Sequence, residues 1–137
     1  MVVRKPWWED QQALTEVLLA DHPLTAAEVL AVMVAMFDSG DPTHADRLVA
    51  ADYLDHQGLG QGPMRGVDGF VQVVATNMAG YEQQDVTIED IFGTTDRAVA
   101  RIRWRGRRSD GNRVDRETID IIRVENGQAV EHWGTRV

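Results

Sequence analysis

No cysteine occurs among the 137 residues, which excludes disulfides and thiolate metal sites. The four histidines, His22, His44, His56 and His132, lack the i, i+4 spacing by which a helix offers two imidazoles to zinc, so no metal or other cofactor is expected. No apolar run approaches the roughly 18 residues of a membrane span. The opening MVVRKPWWEDQQ places Trp-Trp and acids where a secretory leader carries its apolar stretch, so the chain reads as cytoplasmic, with no membrane partner. Internal repeats, low-complexity tracts and Pro/Gly/Ser-rich linkers are also missing, and domains commonly run about 100 to 200 residues, so one domain is expected. Without a Gly-x-Ser-x-Gly elbow, a phosphate loop or a dinucleotide fingerprint, nucleophilic serine chemistry and nucleotide cofactors have no support.

Positive charge is in short supply as well. The 14 Lys and Arg face 22 Asp and Glu, and a net charge of −8 repels a polyanion at long range, so no nucleic-acid partner is expected. One segment runs the other way: from Arg97 to Arg116 there are eight arginines against Asp110 and Asp115 alone. Alternate arginines there read as the solvated face of a strand. What is present in ordinary measure, 43% hydrophobic and 26% charged residues, is the composition of an ordered globular chain.

Helical patterns come first and strand patterns afterwards, which predicts an α+β domain with an antiparallel sheet. Trp8, Ala13, Leu14, Val17 and Leu18 fall on one face of a helix over Trp8 to Ala20, an extra N-terminal element within residues 1–22. Thr25-Ala-Ala-Glu28 is a capping box. It opens a second helix to about Asp38, with Val29, Val32, Met33, Met36 and Phe37 at helical spacing and Ser39-Gly40-Asp41-Pro42 as its stop. A short helix around His44 to Val49 leads into Tyr53-Leu-Asp-His56. A Gly-rich loop from Gly58 to Gly66 is a candidate pocket rim, and a third helix covers Val67 to Ala79.

Alternation then dominates. Val86, Ile88 and Phe92 mark a first long strand, Ala98 to Arg107 a second, and a third ends near Val124. The turn Glu125-Asn126-Gly127, which needs positive φ, precedes a last strand from Ala129 to Trp133. In the second strand Ala98, Ala100, Ile102 and Trp104 point one way, and Val99, Arg101, Arg103 and Arg105 the other.

Asp120 is the residue most out of place, because Thr118, Ile122 and Val124 share its side of the pleat. If helices cover that face, desolvation raises the carboxyl's pKa toward the range useful for moving protons. The alternative is an ion pair with Arg101 or Arg116, and periodicity does not choose between them. His56 titrates near neutral pH when unperturbed and is a candidate helper in proton transfer. Trp104 and Trp133 are candidate cavity walls.

Taken together, Tyr53-x-Asp55-His56, Gly66-x-x-Gly69-Phe70, Val86-Thr-Ile-Glu-Asp90 and Asp120-x-x-Arg123-x-x-x-Gly127-x-x-x-Glu131-His132-Trp133 resemble the SnoaL-like polyketide cyclases of the nuclear transport factor 2-like superfamily. The resemblance covers residues 27 to 133. It implies a cone-shaped, curved antiparallel sheet wrapped on N-terminal helices, a pocket for a small apolar, polyketide-like molecule, a homodimer, and metal-free ring closure by intramolecular aldol condensation. The family's acid/base position falls on Asp120. His56 and Arg101 are the expected supporting polar groups, and Phe37, Met36, Tyr53, Trp104, Ile122, His132 and Trp133 the expected pocket residues. Isomerases, epoxide hydrolases, pyran-forming cyclases and non-catalytic binding or assembly modules share this frame. Epoxide opening would need a second acid, with Asp55 and Asp90 as candidates. Where many relatives carry Thr-His in the second long strand, this chain has Gly106-Arg107-Arg108.

Overall fold

Two helical starts are written in side chains that accept hydrogen bonds from otherwise free amides. In the computed structural model, which describes residues 5–60 and 62–137, Asp10 caps α1 (Gln11–Leu18) by accepting from the amides of Gln12 and Ala13. Thr25 and Glu28 form the reciprocal capping box of α2 (Ala26–Ser39), which stops at Gly40 in the left-handed conformation. A single 3-10 turn, Trp7–Glu9, precedes α1, so the expected first helix is split at Asp10. Residues 1–4, on which part of the leader argument rests, and Gln61 in the Gly-rich loop lie outside the described residues.

The remaining elements are α3 (Ala45–Leu48), β1 (Val49–Asp55), a 3-10 turn at Gly58–Gly60, β2 (Met64–Arg65), α4 (Gly66–Ala79), β3 (Tyr81–Gly93), β4 (Arg97–Arg108), β5 (Arg113–Glu125) and β6 (Gln128–Arg136). The strands form one open sheet in the order β2-β1-β6-β5-β4-β3. β3 to β6 are the expected antiparallel meander. The β5–β6 turn is tight, with Asn126 and Gly127 both at positive φ. β1 runs parallel to β6, a pairing that local alternation does not announce. The architecture is thus helices on one side of a curved, mainly antiparallel sheet, as expected. No helix among the described residues is long and apolar enough to cross a membrane.

α2 is buried almost all round, from Ala26 through Val29, Leu30, Ala31, Val32, Met33, Val34 and Met36. A helix so apolar needs cover on both sides. The sheet provides one; Leu14, with Trp8, Val17 and Leu18 packed against the core, provides the other. Trp8 is tied across by its indole N–H to the Ile88 carbonyl at 3.2 Å. Phe70 of α4 seals the far side, in edge-to-face contact with Phe37 and Tyr53. Each fully buried aromatic or aliphatic side chain of this kind contributes about 1.5–3 kcal/mol.

β3 carries a register irregularity between Ile88 and Asp90. Strict alternation from Val86 and Ile88 would turn Phe92 inward. The extra residue reverses the parity, so Ile91 is buried and Phe92 is 64% exposed.

Candidate active site

Four strands and two helices, α2 and α4, deliver side chains to the same hollow. On β5, alternate residues Arg116, Thr118 and Asp120 face the helices. On β4 the inward pair is Ile102 and Trp104, and on β6 it is His132 and Gly134. α2 adds Leu30, Met33, Val34 and Phe37, the i, i+3, i+4, i+7 stripe of one helical face. These residues, with Tyr53 and Asp55 from the end of β1, line a cavity of about 310 Å³.

At its polar end lies a bridge of three side chains. The parallel pairing of β1 with β6 sets Asp55 beside His132, and the antiparallel pairing of β5 with β6 sets Asp120 opposite Gly134. His132 Nδ1 is 2.9 Å from Asp55 Oδ1, and His132 Nε2 is 2.7 Å from Asp120 Oδ2. A neutral imidazole has one N–H, so hydrogen-bonding to two carboxylates requires the doubly protonated ring. The electrostatics agree. Burial by itself pulls the His132 pKa down, but the hydrogen bonds and negative charge of Asp120 and Asp55 outweigh it and hold the pKa up at about 9, from an ordinary 6.5. Histidine 132 is therefore a cation at neutral pH.

The two carboxylates are not equivalent. Asp55 Oδ1 also accepts from the backbone N–H groups of Gln57 and Gly58, at 3.0 and 3.1 Å. Burial pushes its pKa up, but the bonds from His132 and from those two amides win, and Asp55 stays below the usual carboxylate range. Its role is to hold the imidazolium. Asp120 Oδ1 accepts 2.7 Å from the Thr118 hydroxyl, which in turn accepts the Trp104 indole N–H at 2.8 Å. Each Asp120 oxygen keeps a second lone pair for a guest in the cavity. Tyr53, buried on the wall, has its phenol pKa raised well above 10 by burial and by the negative charge of Asp55 and Asp120, so it remains a donor.

Gly134 makes this arrangement possible. A Cβ there would stand 2.9 Å from Asp120 Oδ2 and 3.4 Å from His132 Cε1, so any side chain would push the carboxylate away from the ring. The Gly134 amide instead donates to Gln57 Oε1 at 2.9 Å, tying the β6 end to the loop after β1.

Of the residues singled out in the sequence, Asp120, Tyr53, Phe37, Trp104 and His132 line the cavity. The ion pair considered for Asp120 is made with His132, and with neither Arg101 nor Arg116. Arg101 has to be removed from the site: it lies on the outer face of β4, 48% exposed, bonded to Glu117 at 2.9 Å. His56, one residue beyond inward-facing Asp55, turns outward as strand alternation demands. It bonds Glu131 at 2.6 Å and stacks on Trp133 with ring centroids 5.2 Å apart, so neither aromatic ring walls the cavity. Met36 belongs to a different stripe of α2 from Phe37, and Met33 takes the expected place. Ile122 faces inward but is wholly enclosed in the core. Asp90 is exposed, leaving Asp55 as the second acid near Asp120. Gly134 and Gln57 were not anticipated, and Thr118 and Arg116 were named only as a neighbour and a possible ion-pair partner of Asp120, not as cavity residues. For Thr118 and Arg116 the signal was available, since both share the parity of Asp120.

Among the described residues no three of His, Cys, Asp or Glu are disposed to hold a metal ion. Both ring nitrogens of His132 are already committed to carboxylates.

A family model described as SnoaL-like polyketide cyclase matches residues 27–136. No curated protein matches the sequence. Among solved structures, IdmH of Streptomyces antibioticus is 25% identical with a TM-score of 0.70, covering 81% of this chain and 91% of that one. TsrD of Streptomyces laurentii is also 25% identical, with a TM-score of 0.69 over 80% of this chain and 85% of its own. A protein of ketosteroid isomerase-like fold from Catenulispora acidiphila, 18% identical, superposes with a TM-score of 0.70 over 81% of this chain and 86% of its own, and bears on the fold alone.

Proposed function

Because this chain belongs to the SnoaL-like polyketide cyclase family, we propose that it closes a ring in a polyketide-like molecule by intramolecular aldol chemistry, with Asp120 as the acid/base. The observation that carries this reading is the placement of Asp120: its side chain is 13% exposed, both oxygens are oriented by Thr118 and His132, and the lining beside it is mostly apolar.

The chemistry follows from that placement. A carbon flanked by two carbonyls gives its proton to the Asp120 carboxylate, and its electron pair moves into the enolate. The enolate carbon attacks a second carbonyl of the same molecule, forming the ring bond, and the new alkoxide takes the proton back from Asp120. The Tyr53 phenol is the candidate donor to the enolate oxygen. The cationic His132 orients Asp120 before the transfer, and the walls hold the chain folded for attack. No external cofactor takes part in this sequence of steps. With the reading comes the homodimer that the resemblance implies, which sedimentation velocity would reveal directly.

Epoxide opening draws less support from this geometry. It asks for a second carboxyl able to give up a proton, and Asp55, the neighbouring one, is held ionised by three donors.

The test is Asp120→Asn, which is isosteric and removes the base. Turnover of a panel of poly-β-carbonyl compounds, followed by mass spectrometry and ultraviolet absorbance, should fall by about 10²–10⁴-fold while ligand binding persists. Wild-type turnover in that variant would remove Asp120 from the mechanism and the proposal with it.

A further inference from the structure

Arg116 differs from the outward-facing arginines of β4. Arg101, Arg103, Arg105 and Arg107 each have a carboxylate on the outer face, with Glu117, Asp115 and Glu82 as partners. Arg116 shares the parity of Asp120 and lies on the inner face, where it lines the cavity. Its guanidinium sits over the Trp104 ring, 5.4 Å from the centroid. Its Nε is buried and has no hydrogen-bond partner among the described residues. Among the described residues no carboxylate pairs with Arg116, and a guanidinium without a counter-charge in a cavity wall points to an anion that arrives with the ligand. Arg136, at the end of β6 and exposed on the rim, lines the same cavity.

From this arrangement we infer that the cavity takes a ligand bearing a carboxylate, which Arg116 engages through its two terminal nitrogens while Arg136 adds charge from the rim. The inference deepens the proposed function and rests on the same cavity. A guanidinium presents two parallel N–H groups that match the two oxygens of a carboxylate, and the Trp104 face fixes its plane before the ligand arrives. Arg116 is four residues from Asp120 along β5, roughly 13 Å between Cα atoms in an extended strand. At that distance it is a specificity-determining residue and does not reach the reacting carbon. Its acid therefore belongs to the end of the ligand away from the ring-forming carbons. The walls between, Trp104, Phe37, Ile102 and Met33, suit an apolar body.

A matched pair of probes tests this without the natural substrate: 2-naphthoic acid and its methyl ester, titrated into the protein by calorimetry at pH 7 and read in parallel by tryptophan fluorescence. The acid should bind at least about tenfold more tightly than the ester, the gain expected of a hydrogen-bonded charge pair. Arg116→Gln should erase that preference and leave ester affinity unchanged. Arg116→Lys should keep part of it, since charge survives and the two-pronged geometry does not, and Arg136→Gln should lower it by less than Arg116→Gln. Equal binding of acid and ester by the wild-type protein overturns the inference and leaves cyclisation by Asp120 standing, because the comparison needs no variant to fold. A persistent acid preference in a protein that shows no Asp120-dependent turnover supports the inference while the catalytic reading falls. Failure of both probes to bind overturns the inference together with the cavity's role.

Discussion

The two faces of the sheet both carry ion pairs and put them to different uses. Outside, Arg101, Arg103 and Arg105 pair with Glu117 and Asp115, all substantially in solvent apart from the half-covered Glu117. Inside, Asp120, His132 and Asp55 form a bridge in which side-chain exposure is 13%, 16% and 6%. Ion pairs in water are screened and offset by the entropy of holding long side chains still, so the outer pairs solvate the sheet and contribute little else. Removed from water, an ion pair is an obligation that every member must honour, because any charge left alone is strongly disfavoured. The difference teaches that function sits where ionised groups are costly, and that a count of charges in the sequence cannot tell the two faces apart.

This contrast can be broken most severely at its centre. His132→Leu leaves Asp55 and Asp120 facing each other without their cation, and urea unfolding at pH 7 should show a loss of about 3–5 kcal/mol. A wild-type midpoint in that variant would mean the bridge is not held in solution.

The same bridge should weaken with protons alone, by a smaller amount, since a neutral imidazole keeps one of the two hydrogen bonds. Because the folded pKa of His132 is about 9 against 6.5 when unfolded, its contribution is complete below pH 6.5 and is lost as pH climbs through 9. Thermal melts across that interval should show Tm falling in the wild type, and a flat profile would contradict the cationic assignment. Asp55 works in the opposite sense: its lowered pKa stabilises the fold above the ordinary carboxylate range, and that contribution disappears as acid protonates it.

Gly134→Ala sharpens the comparison sterically. The new methyl overlaps Asp120 Oδ2, so the variant should lose about 1–3 kcal/mol of stability and, if Asp120 is the acid/base, most of its turnover. Unchanged unfolding and kinetics would show that the carboxylate has freedom to move. At the opposite extreme, Arg101→Gln on the outer face should leave both Tm and turnover unchanged. A large loss of turnover there would reinstate Arg101 as part of the site.

Much of this was legible beforehand, residue by residue. The capping box at Thr25 and Glu28, the left-handed stop at Gly40 and the Asn126-Gly127 turn are local devices, and each appears where the sequence places it. Strand alternation put Asp120 with Thr118, and Trp104 apart from Arg101; followed consistently, it would have excluded Arg101, His56 and Trp133 from the cavity. His132 lies across the β5–β6 hairpin from Asp120, but the third member of the bridge, Asp55, was not legible in this way. Asp55 and His132 are far apart in the chain and become neighbours only through the parallel β1–β6 pairing, for which no turn or spacing gives a signal.

Local rules therefore decided where helices begin and stop, where hairpins turn and which way most strand residues point, since each depends on neighbours a few positions away. Long-range pairing decided the rest. It converted an isolated buried aspartate into one end of a carboxylate–imidazolium–carboxylate bridge, reversed the parity of Phe92 through a bulge, and gave Gly134 a purpose that no property of glycine reveals. The charge state and reach of an ionisable group depend on what lies across a gap of about 3 Å, and that neighbour is chosen by the whole fold.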